Sequence, residues 1–447
     1  MALSARGRRV APAAIAAAAF VFVVALYVAK QHAISASLLT LWGTRPFSFP
    51  FVDADTVLSA LRCRRMGVDV FASNPCDALG RVYDYSPLWL HASVFPITMD
   101  WIVPVGLAVD AAFLASLLLL PAARNSWWTL VIVVAALSTP VAFALERANN
   151  DLVIFVLAVL AATLSCMSQA WRWLGYSCAF LAGLLKYYPM LLLAMAVRER
   201  PRMFLAVASV SVLLLALFIV AELEPLRRAL ELIPTGVYFG DMFGARTLPF
   251  GVAEVLRLPA WVGRVGELVL DVGSLIAAAW ISARARIDED LRALTERERA
   301  FLMAGALLVI GCFISAQNIG YRAIHLLLIL PALTALAGGG RHRSAWAASV
   351  AVVLLLLWTE GWRHWLDALV EHRVPWADLE QAVVDPPRLF GWAVREACWW
   401  WVVTLLWTVT LTLLRESVTG QAFFIALSGR TRAGDAEPLR PSTSGGG

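Results

Sequence analysis

A chain of 447 residues that is 60% hydrophobic and only 15% charged, with a mean hydropathy of +0.72, cannot clothe itself in a water-facing surface. Soluble domains carry about 25% charged residues. The net charge of +5 falls largely on short loops between apolar blocks, which reads as the positive-inside signal of a membrane protein and not as a nucleic-acid surface.

The first apolar block, 10–29, holds no charge over its 20 residues, about the length that crosses a hydrocarbon core as a helix. Arg6, Arg8 and Arg9 precede it, which suits an uncleaved anchor with a cytoplasmic N-terminus. Further blocks lie at 102–120, 127–145, 152–167, 175–195, 203–221, 268–283, 300–316, 323–337, 345–358 and 397–414. None alternates polar with apolar as a membrane barrel would. The expected fold is an all-α, polytopic transmembrane helical bundle of about ten or eleven segments, with short helices in a first outer loop at 30–100.

Loops 198–202, 284–299 and 341–343 are basic and are assigned to the cytoplasm; loops 222–263 and 359–395 then face outside. Residues 417–447 form a cytoplasmic tail, disordered over 430–447, where Gly, Ser and Pro dominate. Counting forward from the N-terminus with one crossing through 173–197 would put the basic loop 198–202 outside. The run Lys186-Tyr187-Tyr188-Pro189 resolves the conflict if Pro189 breaks the helix and 173–197 is a re-entrant pair with its tip at Lys186. Broken helices are tolerated where they line a cavity. The alternative is a kinked full span and one helix miscounted elsewhere.

Several groups could carry chemistry. Asp53 and Asp55 open the first outer loop beyond a proline-rich turn. Two such carboxylates could orient or deprotonate a hydroxyl, or bind a divalent metal; equally, they could cap and charge the start of a helix at 56–66. Asp55 is the preferred base, because Asp53 is the better placed cap. No stronger metal-ligating spacing is present, and no cofactor is indicated. Further along the loop, Arg81-Val82-Tyr83-Asp84-Tyr85 is dense in polar and aromatic groups that suit sugar binding or a membrane interface. Cys63 and Cys76 lie outside the apolar blocks, and on the oxidising side of a membrane they would pair.

Glu146-Arg147-Ala148-Asn149-Asn150-Asp151 is richer in hydrogen-bonding groups than a short turn needs. Lys186 sits within an apolar block, where an ionisable residue is a functional candidate. Asp110 lies mid-block and could pair with another helix. Arg322 could clamp a phosphate, and His325, one turn on, could serve as acid, base or donor, although a lone helical histidine is more often a satisfied core residue.

This ensemble resembles the GT-C superfamily of membrane glycosyltransferases, and within it the family of polyprenol-phosphate-mannose-dependent mannosyltransferases. The resemblance spans residues 10–340 and rests on an acid at the start of the first outer loop (Asp53 or Asp55) and a glycine and tyrosine-proline run over 67–90. It also rests on the Asn149-Asn150-Asp151 turn, Lys186 three residues before Pro189, and the Tyr321-Arg322 region with His325. The Asn74-Pro75-Cys76-Asp77 stretch departs from the pattern. The resemblance implies a catalytic module at 1–340, with C-terminal transmembrane segments at 341–416. It implies a plasma-membrane enzyme with its site on the external face, moving a sugar from a polyprenyl-phosphate donor to a lipid or glycan acceptor with inversion. Asp55 or Asp53 would be the base, and Lys186, Arg147, Asn149, Asn150, Asp151, Tyr83, Tyr85, Tyr188, Arg322 and His325 would bind substrate.

Two other classes are compatible with the sequence. A transporter or lipid flippase would also place Asp110 and Lys186 in the membrane, although no inverted repeat is evident. A non-catalytic membrane scaffold would require no aspartate.

Overall fold

A computed structural model of the chain describes residues 3–44, 46–233, 237–369 and 386–427. The expected disordered tail at 430–447 and residues 370–385 of the 359–395 loop lie outside the described residues. The described part is almost entirely helical. In chain order come α1 (Ala5–Val28), α2 (His32–Leu41), α3 (Val52–Arg65), α4 (Pro87–Leu90), α5 (Ile102–Ser116), α6 (Ser126–Ala136), α7 (Thr139–Arg147), α8 (Asn150–Leu164) and α9 (Gln169–Lys186). After a 3-10 helix at Tyr188–Arg198 follow α10 (Pro201–Ala221), α11 (Leu223–Glu231), α12 (Thr247–Val255), α13 (Ala260–Arg284), α14 (Ile287–Arg292) and α15 (Glu296–Ser315). Another 3-10 helix, Gly320–Leu328, leads into α16 (Leu330–Gly339), α17 (Arg343–Leu357), α18 (Thr359–Leu369), α19 (Pro386–Glu416) and α20 (Val418–Leu427). One two-residue antiparallel pair, β1 (Met242–Phe243) with β2 (Asn318–Ile319), ties two loops together.

Six helices are long and apolar enough to cross a membrane, or eight if two bent pairs, α6 with α7 and Gly320–Leu328 with α16, each count as one span. The sequence suggested ten or eleven. The difference has a length cause: α8 and α17 have 15 residues each and the Tyr188–Arg198 helix has 11, short of the ~20 that span a bilayer core. The 18-residue α9 is diluted by Gln169, Arg172 and Lys186.

Ion pairs sort the helix ends into two groups. At one end Arg124 meets Glu298 at 3.2 Å, Arg198 meets Glu296 at 2.8 Å, Arg172 meets Glu199 at 3.0 Å and Arg341 meets Glu289 at 2.8 Å. Arg8 joins this end by donating to the Ala123 carbonyl at 3.0 Å. The basic loops expected to share one face therefore do so. The opposite end carries the 30–100 loop and the 146–151 turn.

The Arg172–Glu199 pair has a further consequence. It brings the start of α9 and the end of the Tyr188–Arg198 helix together, so the two segments form a hairpin with Lys186 at its tip, the first of the two arrangements the charge count suggested. Gly183 lets the two arms close, because a Cβ there would lie 2.9 Å from the Met190 Cα. Gly311 of α15 likewise admits the Tyr188 carbonyl, which would sit 2.9 Å from an added Cβ. The reversal is made at Tyr187, with φ +62° and ψ −60°, near the rare, strained γ-turn geometry.

α15 lies at the centre, buried from Ala300 to Phe313, and starts with a capping box in which Thr295 and Glu298 satisfy each other's backbone N–H. By contrast α10 exposes Leu205, Val212, Leu217 and Val220 along its length. An apolar helix exposed all round is what a lipid-facing position allows. The main core runs from Ala13 to Val409 and includes Trp346 and Trp399, so packing is continuous across the boundary expected at 340.

Candidate functional site

The turn between α7 and α8 is made by Ala148 in a left-handed conformation (φ +45°, ψ +52°). This places Asn149 as the N-cap of α8, its Oδ1 accepting from the Asp151 N–H at 2.8 Å. The Asn149 amide nitrogen donates to Asp53 Oδ2 at 2.5 Å. One asparagine thus connects two buried aspartates on different helices. The neighbouring Asn150 is buried too, and its amide nitrogen has no partner.

Asp151 is fully buried and surrounded by donors. Lys186 Nζ lies 2.5 Å from Oδ2, Arg322 Nε donates to the same oxygen at 3.2 Å, and the Tyr188 hydroxyl donates to Oδ1 at 2.6 Å. The Tyr188 oxygen is also 2.7 Å from His325 Nε2. With its one proton given to Asp151, Tyr188 accepts from Nε2–H of His325, leaving Nδ1 buried and unpartnered. Helix termini favour this arrangement: Asp151 is in the first turn of α8 and Lys186 is the last residue of α9, each complementing its helix dipole. Arg322 is held at its other end by the Asn318 side chain, itself donating to the Cys312 and Ala316 carbonyls at 2.5 and 2.7 Å. Lys186 and Arg322 thus share the one Asp151 carboxylate. The rings of Tyr85 and Tyr321 lie 5.6 and 5.8 Å from Lys186 Nζ.

The first loop is a separate small core around Leu61, Phe71, Tyr83 and Leu90, stapled by a Cys63–Cys76 disulfide. The Ser86 hydroxyl ties it to α9 by donating to the Leu184 carbonyl at 2.7 Å. α3 begins at Val52, earlier than the sequence suggested, and its N-cap is Phe51 in a left-handed conformation without a side-chain cap bond. Asp53 is therefore not a cap, which corrects the reason for preferring Asp55. Two residues apart on a helix, the carboxylates diverge. Asp53 turns toward Asn149, with Arg147 at 4.0 Å and Arg81 at 3.6 Å. Asp55 turns into the loop, accepting from the Ala78 N–H at 3.1 Å with Arg81 at 3.8 Å. Burial, assisted by the nearby Asp77 charge, raises its pKa above the usual carboxylate value, although the Ala78 bond opposes the shift.

Of the residues singled out in the sequence, Asp53, Asn149, Asp151, Lys186, Tyr188, Arg322 and His325 form one connected network, with Tyr85 against it and Asn150 beside it. Arg147 is sheathed between the Phe47 and Phe143 rings, 4.8 and 4.2 Å from their centres. Tyr83 is elsewhere: fully buried, it donates to the Ser86 carbonyl at 2.8 Å and packs in the loop core. Sequence reasoning named Arg81 only within the 81–85 run and gave it no role of its own, yet its guanidinium grips Asp77 at 2.8 and 3.1 Å and lies within 4 Å of both Asp53 and Asp55. Its spacing of four residues from Asp77 was the available signal. The arginines reach open space while Asp151 beneath them does not: the Arg81 side chain is 31% exposed and that of Arg322 19%, against 0% for Asp151. Among the described residues, no three His, Cys, Asp or Glu side chains gather as a metal set would.

Comparison with family models, with curated proteins and with solved structures finds no match to this chain.

Proposed function

We propose that the protein is an integral membrane glycosyltransferase that moves a sugar from a polyprenyl-phosphate donor to an acceptor hydroxyl, with Asp53 as general base. The observation that carries this reading is the Asn149 bridge between Asp53 and the Asp151–Lys186–Arg322 cluster. Chemistry of this kind needs a carboxylate to take a proton beside cations to hold a departing phosphate. Asp151 has both oxygens engaged by donors and serves to position Lys186 and Arg322. Asp53 has the less crowded carboxylate. The positive-inside rule would put the arginine-rich end in the cytoplasm and the site on the external face of the plasma membrane.

In the proposed reaction the acceptor oxygen attacks the anomeric carbon from the face opposite the leaving group. The bond from that carbon to the phosphate oxygen breaks, the polyprenyl phosphate departs with the electron pair toward Lys186 and Arg322, and Asp53 receives the acceptor proton. The test is transfer of labelled sugar from a polyprenyl-phosphate donor by purified protein in nanodiscs. Asp53→Asn should cut turnover by roughly 10²–10⁴-fold, the usual worth of a general base, and Lys186→Ala should weaken donor binding. Full turnover in Asp53→Asn sinks the assignment.

Asp110 favours a second reading. It is fully buried in a membrane-crossing segment and both its carboxylate oxygens lack partners, which is how an intramembrane proton or substrate path can present itself. A transporter would show Asp110-dependent flux in proteoliposomes without any sugar transfer.

A further inference from the structure

Asp84 is a carboxylate of the first loop that the proposed reaction leaves unused. Both of its flanks are tied to the site. Arg81, three residues earlier, lies 3.6 Å from Asp53. On the other side, the Tyr85 ring is 5.6 Å from Lys186 Nζ. Ser86, the N-cap of α4, fastens the loop to α9 through the Leu184 carbonyl, two residues before Lys186. Asp84 thus sits on the stretch of chain that runs from Asp53 to Lys186. The charges of Lys186, Asp53 and Arg81 all act on it, and the Asp53 charge acts on Lys186 as well. Asp84 is half-buried, and among the described residues its carboxylate takes a hydrogen bond only from its own N–H. Burial raises its pKa above the usual carboxylate value and the Asp53 charge adds to the shift, while that backbone bond, Lys186 and Arg81 oppose it. A half-buried anion so poor in donors is incompletely solvated, and hydroxyl groups supplied by a ligand would satisfy it.

The proposed reaction leaves one place for the transferred sugar. Its anomeric carbon must lie between the phosphate, drawn to Lys186 and Arg322, and the acceptor oxygen, whose proton goes to Asp53. The sugar ring therefore sits between Lys186 and Asp53, the two groups whose charges reach Asp84. We infer that Asp84 accepts hydrogen bonds from hydroxyl groups of the transferred sugar, so that the site recognises the donor as a glycosyl phosphate and not as a lipid phosphate alone. The inference rests on the transferase reading. Charge gives this role a signature. An anion beside the phosphate site works against the phosphate, so whatever Asp84 contributes to donor binding must come through the sugar. Loss of the carboxylate should act in opposite senses on the two parts of the donor. A residue that only held the loop in place would act on both alike.

The experiment measures binding to the full chain in phosphatidylcholine nanodiscs. The probes are bare polyprenyl phosphate and its mannosyl, glucosyl and galactosyl forms, all with the same polyprenyl tail. Asp84→Ala should weaken the glycosyl form that the wild type binds best by about tenfold or more, the usual worth of a hydrogen bond to a charged group. The same substitution should leave the bare phosphate bound as well as before or more tightly. Lys186→Ala should weaken every probe. Should Asp84→Ala fail to fold, Asp84→Asn keeps the size of the side chain and should shift the two kinds of probe in the same opposite senses. Equal weakening of bare and glycosyl lipids, or no weakening of the glycosyl lipid, overturns the assignment of Asp84. So does a wild type that binds the bare phosphate but no glycosyl form. A wild type that binds none of the probes defeats the transferase reading itself.

Discussion

Lys186 Nζ lies 2.5 Å from Asp151 Oδ2, joining the last residue of α9 to the first turn of α8. Both side chains are nearly inaccessible, at 8% and 0% exposure. Removing one partner of a buried pair leaves an uncompensated charge, at a cost of about 3–5 kcal/mol. Asp151→Asn should therefore lower stability by that order, since it strands both Lys186 and Arg322. Asp151→Asn combined with Lys186→Met should recover part of the loss, because one stranded cation is gone. Thermal unfolding of the purified variants and the double-mutant cycle test this. Additive losses would mean that the pair is not coupled.

Asp55 should make the stability of the chain depend on pH. The folded pKa of Asp55 is raised above its unfolded value, by burial first. Below the ordinary carboxylate value the group is protonated in both states and carries no penalty. As pH rises from there through the raised folded value, the unfolded chain ionises more readily and stability falls. Asp55→Asn removes that penalty, so its stability should match or exceed that of the wild type at neutral pH, with the gap closing in acid. Denaturation midpoints measured across pH settle it; a variant less stable at neutral pH than in acid, relative to wild type, would refute the assignment.

The disulfide is the third test. Cys63 is fully buried at the C-terminal end of α3, and its bond to Cys76 closes a short loop against the Phe71–Tyr83 pair. Constraining the unfolded chain over such a loop is worth about 2–4 kcal/mol. Paired Cys63→Ser and Cys76→Ser substitution should lower the unfolding midpoint accordingly, and non-reducing peptide mapping should recover the linked pair from native membranes. Two free, alkylatable thiols would contradict it.

Much of this site was legible because ionisable residues inside or beside apolar blocks are conspicuous. Lys186, Asp151, Arg322 and His325 stand out on that ground alone, although 171 residues separate Asp151 from Arg322. What the sequence could not supply was orientation. Asp53 and Asp55 are equivalent until the first residue of α3 is known, and the left-handed Phe51 starts that helix earlier than any capping pattern suggests. Tyr83 reads like Tyr85, and their rings touch with centres 5.9 Å apart, yet Tyr83 is fully buried in the loop core while Tyr85 also faces Lys186. The span count went astray for a related reason: helices tucked inside a bundle need not meet the length or apolarity of lipid-facing ones. The hairpin was legible as one of two readings, because a full crossing would have put the arginine-rich loop 198–202 on the same face as the 30–100 loop.

That hairpin gives the last prediction. If α9 and the Tyr188–Arg198 helix go out and back, topology reporters after Arg200 and within 30–100 must report opposite faces. The geometry also names the residue on which closure depends. An added Cβ at Gly183 would meet Met190 at 2.8 Å from Cε and 2.9 Å from Cα. The first contact can be relieved by truncating a flexible side chain, but the second is backbone and cannot. Gly183→Ala should cost about 1–3 kcal/mol, the usual toll of overpacking, and Met190→Ala in the same chain should restore only part of it. Because the Gly183 carbonyl accepts from the Tyr187 N–H at 2.7 Å, a displaced hairpin also shifts the tip that carries Lys186, so donor affinity should fall along with stability. Reporters on the same face, or a Gly183→Ala protein as stable as wild type, would mean that the two arms do not pack as a closed pair.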